Sequence, residues 1–327
     1  MKLKLLCFSI AFCSYSALAA DWQPLLDKNL SQWDTYLSYK HKESYDGSVP
    51  KDEQGKPIAP IGLNTGNDRY KVFTMQQENN EPVLRVSGEI YGAVTSKNSY
   101  KNYHLKLQFR WGDKKWPPRL NKLKDSGILY HAIGEHGQEY FRSWMMSQEF
   151  QIMEGHNGDY WQQAGSAIDI RAFMPESIMN AVADESQPFL KVGKGEELQG
   201  FVLRKENHEK PAGQWNTVEL ISFEGQSLHI VNGHVVMVLR NSRYVTPEGK
   251  TEPLVEGKIQ LQSEAAEIFY KDVQIKALDQ MPREKSRCEH ADDMPLQHQR
   301  GVVKTEAAHL HGQRGGGHQQ VHHAVTQ

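Results

Sequence analysis

Strict two-residue alternation is the strongest constraint this sequence places on its fold. In residues 103–111, Leu105, Leu107 and Phe109 alternate with Lys106, Gln108 and Arg110; in residues 149–153, Phe150 and Ile152 alternate with Glu149, Gln151 and Met153. That is the period of a strand with one face buried and one open to water, not of a helix. Further strands are expected at 71–76, 83–87, 93–96, 125–131, 199–203, 215–222, 227–231, 235–239, 257–263 and 267–278, with a short edge strand and turn at 22–33. Asn232-Gly233 between two apolar runs is a strong hairpin signal. One short helix is expected, at 175–182, and residues 38–69, 112–124 and 183–198 read as loops. Many strands and tight turns with almost no amphipathic helix predict an all-β fold, an antiparallel sandwich of two sheets.

The two ends of the 327-residue chain differ from its middle. Lys2 and Lys4 precede an apolar run from Leu5 to Phe12, and Ala17-Leu18-Ala19 supplies a small-x-small cleavage site. Residues 1–20 therefore read as a signal peptide, and the mature chain, beginning near Asp21, is expected in the periplasm or outside the cell. Cys7 and Cys13 leave with that segment and Cys288 lies in the tail, so the exported domain must rest on its core without disulfides. After Tyr270 there is no aromatic residue, and seven histidines gather after Pro282 with Gly315-Gly316-Gly317. Such a segment buries too little apolar surface to fold. The expected division is a signal peptide at 1–20, a sandwich domain at 21–281 and a disordered tail at 282–327. The tail histidines lack a fixed metal-ligand spacing. A formal net charge of −2 gives no reason to expect nucleic acid or an anionic membrane as partner.

Candidate site residues gather around the central strand. Glu149 and Gln151 stand together on its wettable face. Strict alternation sends Glu154 toward the core, and a strand-end bulge would return it to the face of Glu149. In 125–131, Ile128 and Tyr130 face the core, which puts Leu129 and His131 on the Glu149 side. Gln260, Gln262 and Glu264 are outward on a later strand, and Tyr160 and Trp161 follow the central turn. A carboxylate, amides and aromatics on one sheet face suit a sugar site. The blander readings are that His131 is a satisfied strand histidine, Arg110 a surface cation and Trp161 a core anchor.

Six segments taken in order resemble one family. They are Asp-Ser-Gly-Ile-Leu-Tyr-His (125–131), Glu-Phe-Gln-Ile-Met-Glu (149–154), Gln-Trp-Asn-Thr-Val-Glu (214–219), Val-Asn-Gly (231–233), Gly-Lys-Ile-Gln-Leu-Gln-Ser-Glu (257–264) and Phe-Tyr-Lys-Asp-Val-Gln-Ile (269–275). Together they are similar to the 3-keto-disaccharide hydrolase domain family, also described as 3-keto-glucoside 1,2-lyases and 3-keto-2-hydroxy-glucal hydratases. The resemblance covers roughly residues 22–278 and implies a concanavalin A-like jelly roll acting on a glycoside oxidised at C3. The chain departs from the family in its longer loops at 38–69, 112–124 and 134–146 and in its tail.

The implied chemistry needs a base for the C2 proton and a donor or cation for the enolate oxygen. Glu149 is the expected base and His131 its rival. Gln151 and Gln262 would position hydroxyls, with Gln108 and Glu264 also in the binding set. Arg110 or Lys106 would hold the enolate, and Tyr160 and Trp161 would stack on the ring. No cofactor is required by the sequence, although a divalent metal could act as the electrophile. One alternative is a retaining glycosidase of laminarinase-like type using Glu149 and Glu154. Another is a non-catalytic carbohydrate-binding module.

Overall fold

A computed structural model describes residues 21–45, 48–138 and 143–282. The expected signal peptide, and the tail from residue 283 onward, lie outside the described residues. The alternating segments form two antiparallel sheets packed face to face, a concanavalin A-like jelly-roll sandwich. The larger sheet runs in the order Val182–Ala183, Ser166–Phe173, His234–Val245, Gln226–Val231, Asn216–Phe223, Tyr103–Lys115, Ala266–Ala277, Glu81–Val86, Phe73–Glu78. The smaller sheet runs Phe201–Val202, Tyr160–Gln162, Met146–Met153, Asp125–Ile133, Lys258–Ser263, Gly92–Ser96, Trp33–Leu37, Gly62–Leu63.

Inward positions of both sheets meet in a large apolar core. Leu105, Leu107, Phe109, Leu220, Ile268 and Tyr270 of the larger sheet pack against Ile128, Tyr130, Phe150, Ile152, Ile259 and Leu261 of the smaller. Each such side chain, fully removed from water, stabilises the fold by about 1.5–3 kcal/mol. The core therefore fixes the register: a slip of one residue would turn Phe150 and Ile152 out to water and Glu149 and Gln151 into the core. At the predicted hairpin, Asn232 and Gly233 both adopt positive φ, 49° and 87°. That suits a type I′ turn between the 226–231 and 234–245 strands.

Some local expectations do not survive. Residues 175–182 form no helix; the one helix among the described residues is the single turn Asn67–Tyr70, at the end of the expected 38–69 loop. The 183–198 loop contains the Phe189–Gly193 strand, which pairs with Ser166–Phe173. Tertiary pairing overrides weak local propensity in both places.

The expected bulge before Glu154 is also absent. The central strand pairs in even register from Asp125↔Met153 to Leu129↔Glu149 and ends at Met153. The bulge lies one strand away, between Tyr130 and Ile133. There His131 takes a positive φ of 53°. The extra residue reverses its side chain and sends it between the sheets.

Candidate functional site

The outer face of the smaller sheet carries the polar cluster. Leu129 opposes Glu149 on one side and Gln260 on the other, while Gly127 opposes Gln151. Gln262 opposes Ala93, and Asp125 bridges to Glu264. Continued one step, the same register brings Gln262 beside Gly127. Small residues on both flanks thus make room for the Gln262 side chain.

Gly127 is required by that close approach. A Cβ there would lie 2.4 Å from Glu149 Oε1 and 2.5 Å from Gln262 Oε1. The Glu149 carboxyl and the Gln262 amide therefore converge above a residue that has no side chain of its own. Glu149 Oε2 accepts a hydrogen bond from Gln163 Nε2. Glu149 is 2% exposed and Gln262 is fully buried. Neither amide atom of Gln262 has a hydrogen-bond partner among the described residues, and Gln163 Oε1 is likewise without one. A buried polar group left unpaired costs about 1–3 kcal/mol, so a polar group that pairs with these atoms is stabilised by that contact.

Beside them sits an ionic group of which the sequence singled out only Glu264. Arg119, in the 112–124 loop, reaches Asp125 Oδ2 at 2.5 Å and Glu264 Oε1 at 2.7 Å. Gln151 Nε2 donates to Asp125 Oδ1 at 2.6 Å, which links the central strand to this group. Two carboxylates facing each other across a strand pair repel unless a cation lies between them. Burial alone would pull the Arg119 guanidinium down, but Asp125 and Glu264 more than offset that and hold it above its usual range. Burial pushes the Glu264 carboxyl up, and Arg119 opposes the shift.

An apolar wall closes this end of the face. Tyr91, Ala93, Leu129, Trp144 and Ala265 cluster together, with Trp116 against them. Trp144 Nε1 donates to the Gly92 carbonyl, and the Met145 amide donates to Gln260 Oε1 at 3.0 Å, so the segment after residue 142 lies across the sheet. His41 stacks on Tyr45 with ring centroids 3.7 Å apart and meets Tyr91 edge-on.

The structure brings Glu149, Gln151, Gln262, Glu264 and Trp161 to one face. Trp161 opposes Glu149 and stacks on Phe201, the ring centroids 4.4 Å apart. It does not bring the remaining candidates there. Tyr160 shares the inward parity of Phe150, and its hydroxyl donates to Gln148 inside the sandwich. His131, turned in by the bulge, is 1% exposed; its Nε2 lies 3.1 Å from Ser222 Oγ of the opposite sheet, and burial lowers its pKa to about 4. Lys106, Gln108 and Arg110 belong to the larger sheet and point away from the core. There Gln108 donates to Asp272, and Arg110 pairs with Glu78 and lies over Trp215. Glu154 sits in a turn, its amide donating to the Lys124 carbonyl and its Oε2 accepting from the Lys124 amide at 3.4 Å.

Arg119, Asp125 and Gln163 were missed by sequence reasoning, and Gln260 was placed on the outward face without a role. Asp125 stood inside a quoted motif. Arg119 and Gln163 lie in irregular segments where alternation says nothing about direction. Among the described residues no group of three or more His, Cys, Asp or Glu is placed to hold a metal ion, and no helix is long and apolar enough to cross a membrane.

The chain is similar in structure to a Parabacteroides distasonis protein described as a candidate glycosyl hydrolase, with 17% identity, a TM-score of 0.42, and 79% of this chain and 100% of that one covered. It is also similar to LamAcat of Zobellia galactanivorans, with 11% identity, a TM-score of 0.38, and 80% and 98% covered. The beta-glucanase of Bacillus licheniformis gives 8% identity, a TM-score of 0.35, and 80% and 99% covered. No curated protein matches the sequence. Residues 21–276 match the model of the 3-keto-alpha-glucoside-1,2-lyase-like domain, and the chain belongs to that family of carbohydrate-active proteins.

Proposed function

We propose that this protein cleaves glycosides already oxidised to a ketone at C3 of the sugar, by proton abstraction at C2 and elimination at C1. The ketone acidifies the C2 hydrogen because the resulting carbanion is delocalised onto the C3 oxygen. Glu149 takes the proton, and the C–H electron pair passes into the enolate. The enolate then forms the C1–C2 double bond and expels the C1 oxygen, which leaves as an alcohol once protonated. Addition of water across that double bond gives the free 3-keto sugar, and the two steps sum to hydrolysis.

The observation that carries this reading is the position of Glu149. It stands on the outer sheet face with one oxygen held by Gln163 and the other beside the Gln262 amide over Gly127. The other two carboxylates of the cluster, Asp125 and Glu264, are bound to Arg119. One carboxylate as base with a cation nearby is what an elimination through an enolate needs. Arg119 takes the role expected of Arg110, as the positive charge next to the developing oxyanion. Trp161 offers a ring for stacking at the Glu149 end of the face. A retaining glycosidase needs two carboxyl groups about 5–5.5 Å apart. Glu154, its expected second acid, stays with Lys124 in a turn after the strand. With residues 1–20 acting as an export signal, the reaction belongs to the periplasm or the cell exterior.

The test is turnover of a 3-keto-glucoside beside its unoxidised parent in deuterated water, with products followed by NMR. Cleavage confined to the keto sugar, with deuterium entering at C2, is expected. Cleavage of the parent without exchange would overturn the proposal in favour of a glycosidase. Binding without turnover of either would leave a carbohydrate-binding module.

A further inference from the structure

We propose that the Gln262 amide is the group that reads the oxidised ring, by pairing with the C3 ketone and the C2 hydroxyl together. This assignment rests on the 3-keto reading above and adds to it the atoms that distinguish an oxidised sugar from its parent.

The argument begins with an unusual side chain. Gln262 is completely buried, yet neither its carbonyl nor its amino group has a hydrogen-bond partner among the described residues. Its neighbours on the same face behave differently. Gln151 donates to Asp125, Gln260 donates to Thr95 and accepts from the Met145 amide, and Gln163 donates to Glu149. Gln262 alone of these four amides is left unpaired at both ends. The sheet provides for it with Ala93 on one flank and Gly127 on the other, and its head group lies next to the Glu149 carboxyl.

A primary amide presents one donor and one acceptor on the same edge. Its complement is a ligand edge with one acceptor and one donor on adjacent carbons, and an α-hydroxyketone is such an edge. The amino group donates to the ketone oxygen, and the amide carbonyl accepts from the neighbouring hydroxyl. The Gln262 carbonyl is the end of the amide that lies beside Glu149 over Gly127, and the C2 hydrogen must face Glu149 for removal, so the hydroxyl that Gln262 engages is the one on C2. A donor at the ketone oxygen also strengthens as negative charge develops there, so the same contact favours the enolate. In an unoxidised sugar, C3 carries a second hydroxyl. It can still accept from the amide, but its own proton then needs another acceptor, and the contact has no developing charge to gain from.

The experiment uses 3-keto-1,5-anhydroglucitol, which has no glycosidic oxygen on C1 to expel, with its 2-deoxy analogue and unoxidised 1,5-anhydroglucitol as comparisons. Affinities are measured by calorimetry for the wild-type protein and for Gln262→Met, which keeps the length of the side chain and removes both polar atoms. Wild type is expected to bind the keto probe at least tenfold more tightly than either comparison. Gln262→Met is expected to lose that preference while its thermal midpoint stays the same or rises, because an unpaired buried amide has been removed. Unchanged keto affinity in Gln262→Met, with the wild-type preference intact, would overturn the Gln262 assignment and leave the proposed reaction standing. A fall in affinity together with a fall in midpoint would also overturn it, as the mark of a packing role. No wild-type preference for the keto probe would remove the proposed reaction and this inference with it.

Discussion

Gln163 donates a side-chain hydrogen bond to Glu149, tying the central strand to the segment that leads into the Ser166–Phe173 strand of the opposite sheet. Glu149 is thereby oriented by a residue fourteen positions later in the chain. Glu149→Gln is expected to lower kcat on a 3-keto-glucoside by roughly 10²–10⁴-fold, the usual contribution of a general base, while the variant still binds the sugar. Gln163→Leu keeps the base but frees its rotamer, and is expected to lose about tenfold in kcat through poorer positioning. Steady-state kinetics on both variants check this; full activity in Glu149→Gln would remove it from the mechanism.

Gly127→Ala tests the convergence of Glu149 and Gln262. The added methyl would stand 2.4 Å and 2.5 Å from their oxygens, so both side chains must move. Overpacking of this kind costs about 1–3 kcal/mol, and the displaced base is expected to lose most activity while the protein remains folded. Circular dichroism melting and kinetics on the same preparation separate the two effects. A variant as active as wild type would show that the contact above Gly127 is dispensable.

Arg119→Met leaves Asp125 and Glu264 buried without their shared cation. Breaking a buried ion pair from one side costs about 3–5 kcal/mol. The loss has a definite pH dependence. Burial already raises the Glu264 carboxyl, and removing the guanidinium raises it further. A folded-state pKa above the unfolded one contributes stability at low pH that is lost as pH rises. Urea denaturation of the variant should therefore show the deficit shrinking as pH falls from 7 toward 5, and adding Glu264→Gln should recover part of it at neutral pH. A pH-independent deficit would argue against uncompensated carboxylates as the cause.

His131 and His229 set a second pH dependence, in the opposite direction. Both are buried between the sheets, and desolvation lowers each to about 4. Above about pH 6.5 the rings are neutral in folded and unfolded chains alike. Below it the unfolded chain binds protons that the folded one refuses, so stability falls until the folded rings titrate near 4. Each ring contributes on the order of 3 kcal/mol over the whole window, taking 1.36 kcal/mol per pKa unit. Unfolding free energies measured from pH 7 to 5 should decline, and His131→Gln should decline less steeply by about one proton. Parallel curves for the two proteins would place the proton uptake elsewhere.

Alternation by itself determined the sandwich. Phe150 and Ile152, or Leu105, Leu107 and Phe109, can leave water only if their strands share a buried face, and that requirement put Glu149, Gln151 and Gln262 together on the opposite one. Long-range pairing decided everything that alternation cannot express. One extra residue in a strand pair turned His131 inward, and the absence of one left Glu154 in its turn. Arg110 has the right parity on a clean strand, but that strand lies in the other sheet, and parity carries no information about which sheet a strand joins. Arg119 and Gln163 come from irregular chain with no period, and their contacts with Glu264, Asp125 and Glu149 exist only once strands far apart in sequence are brought side by side.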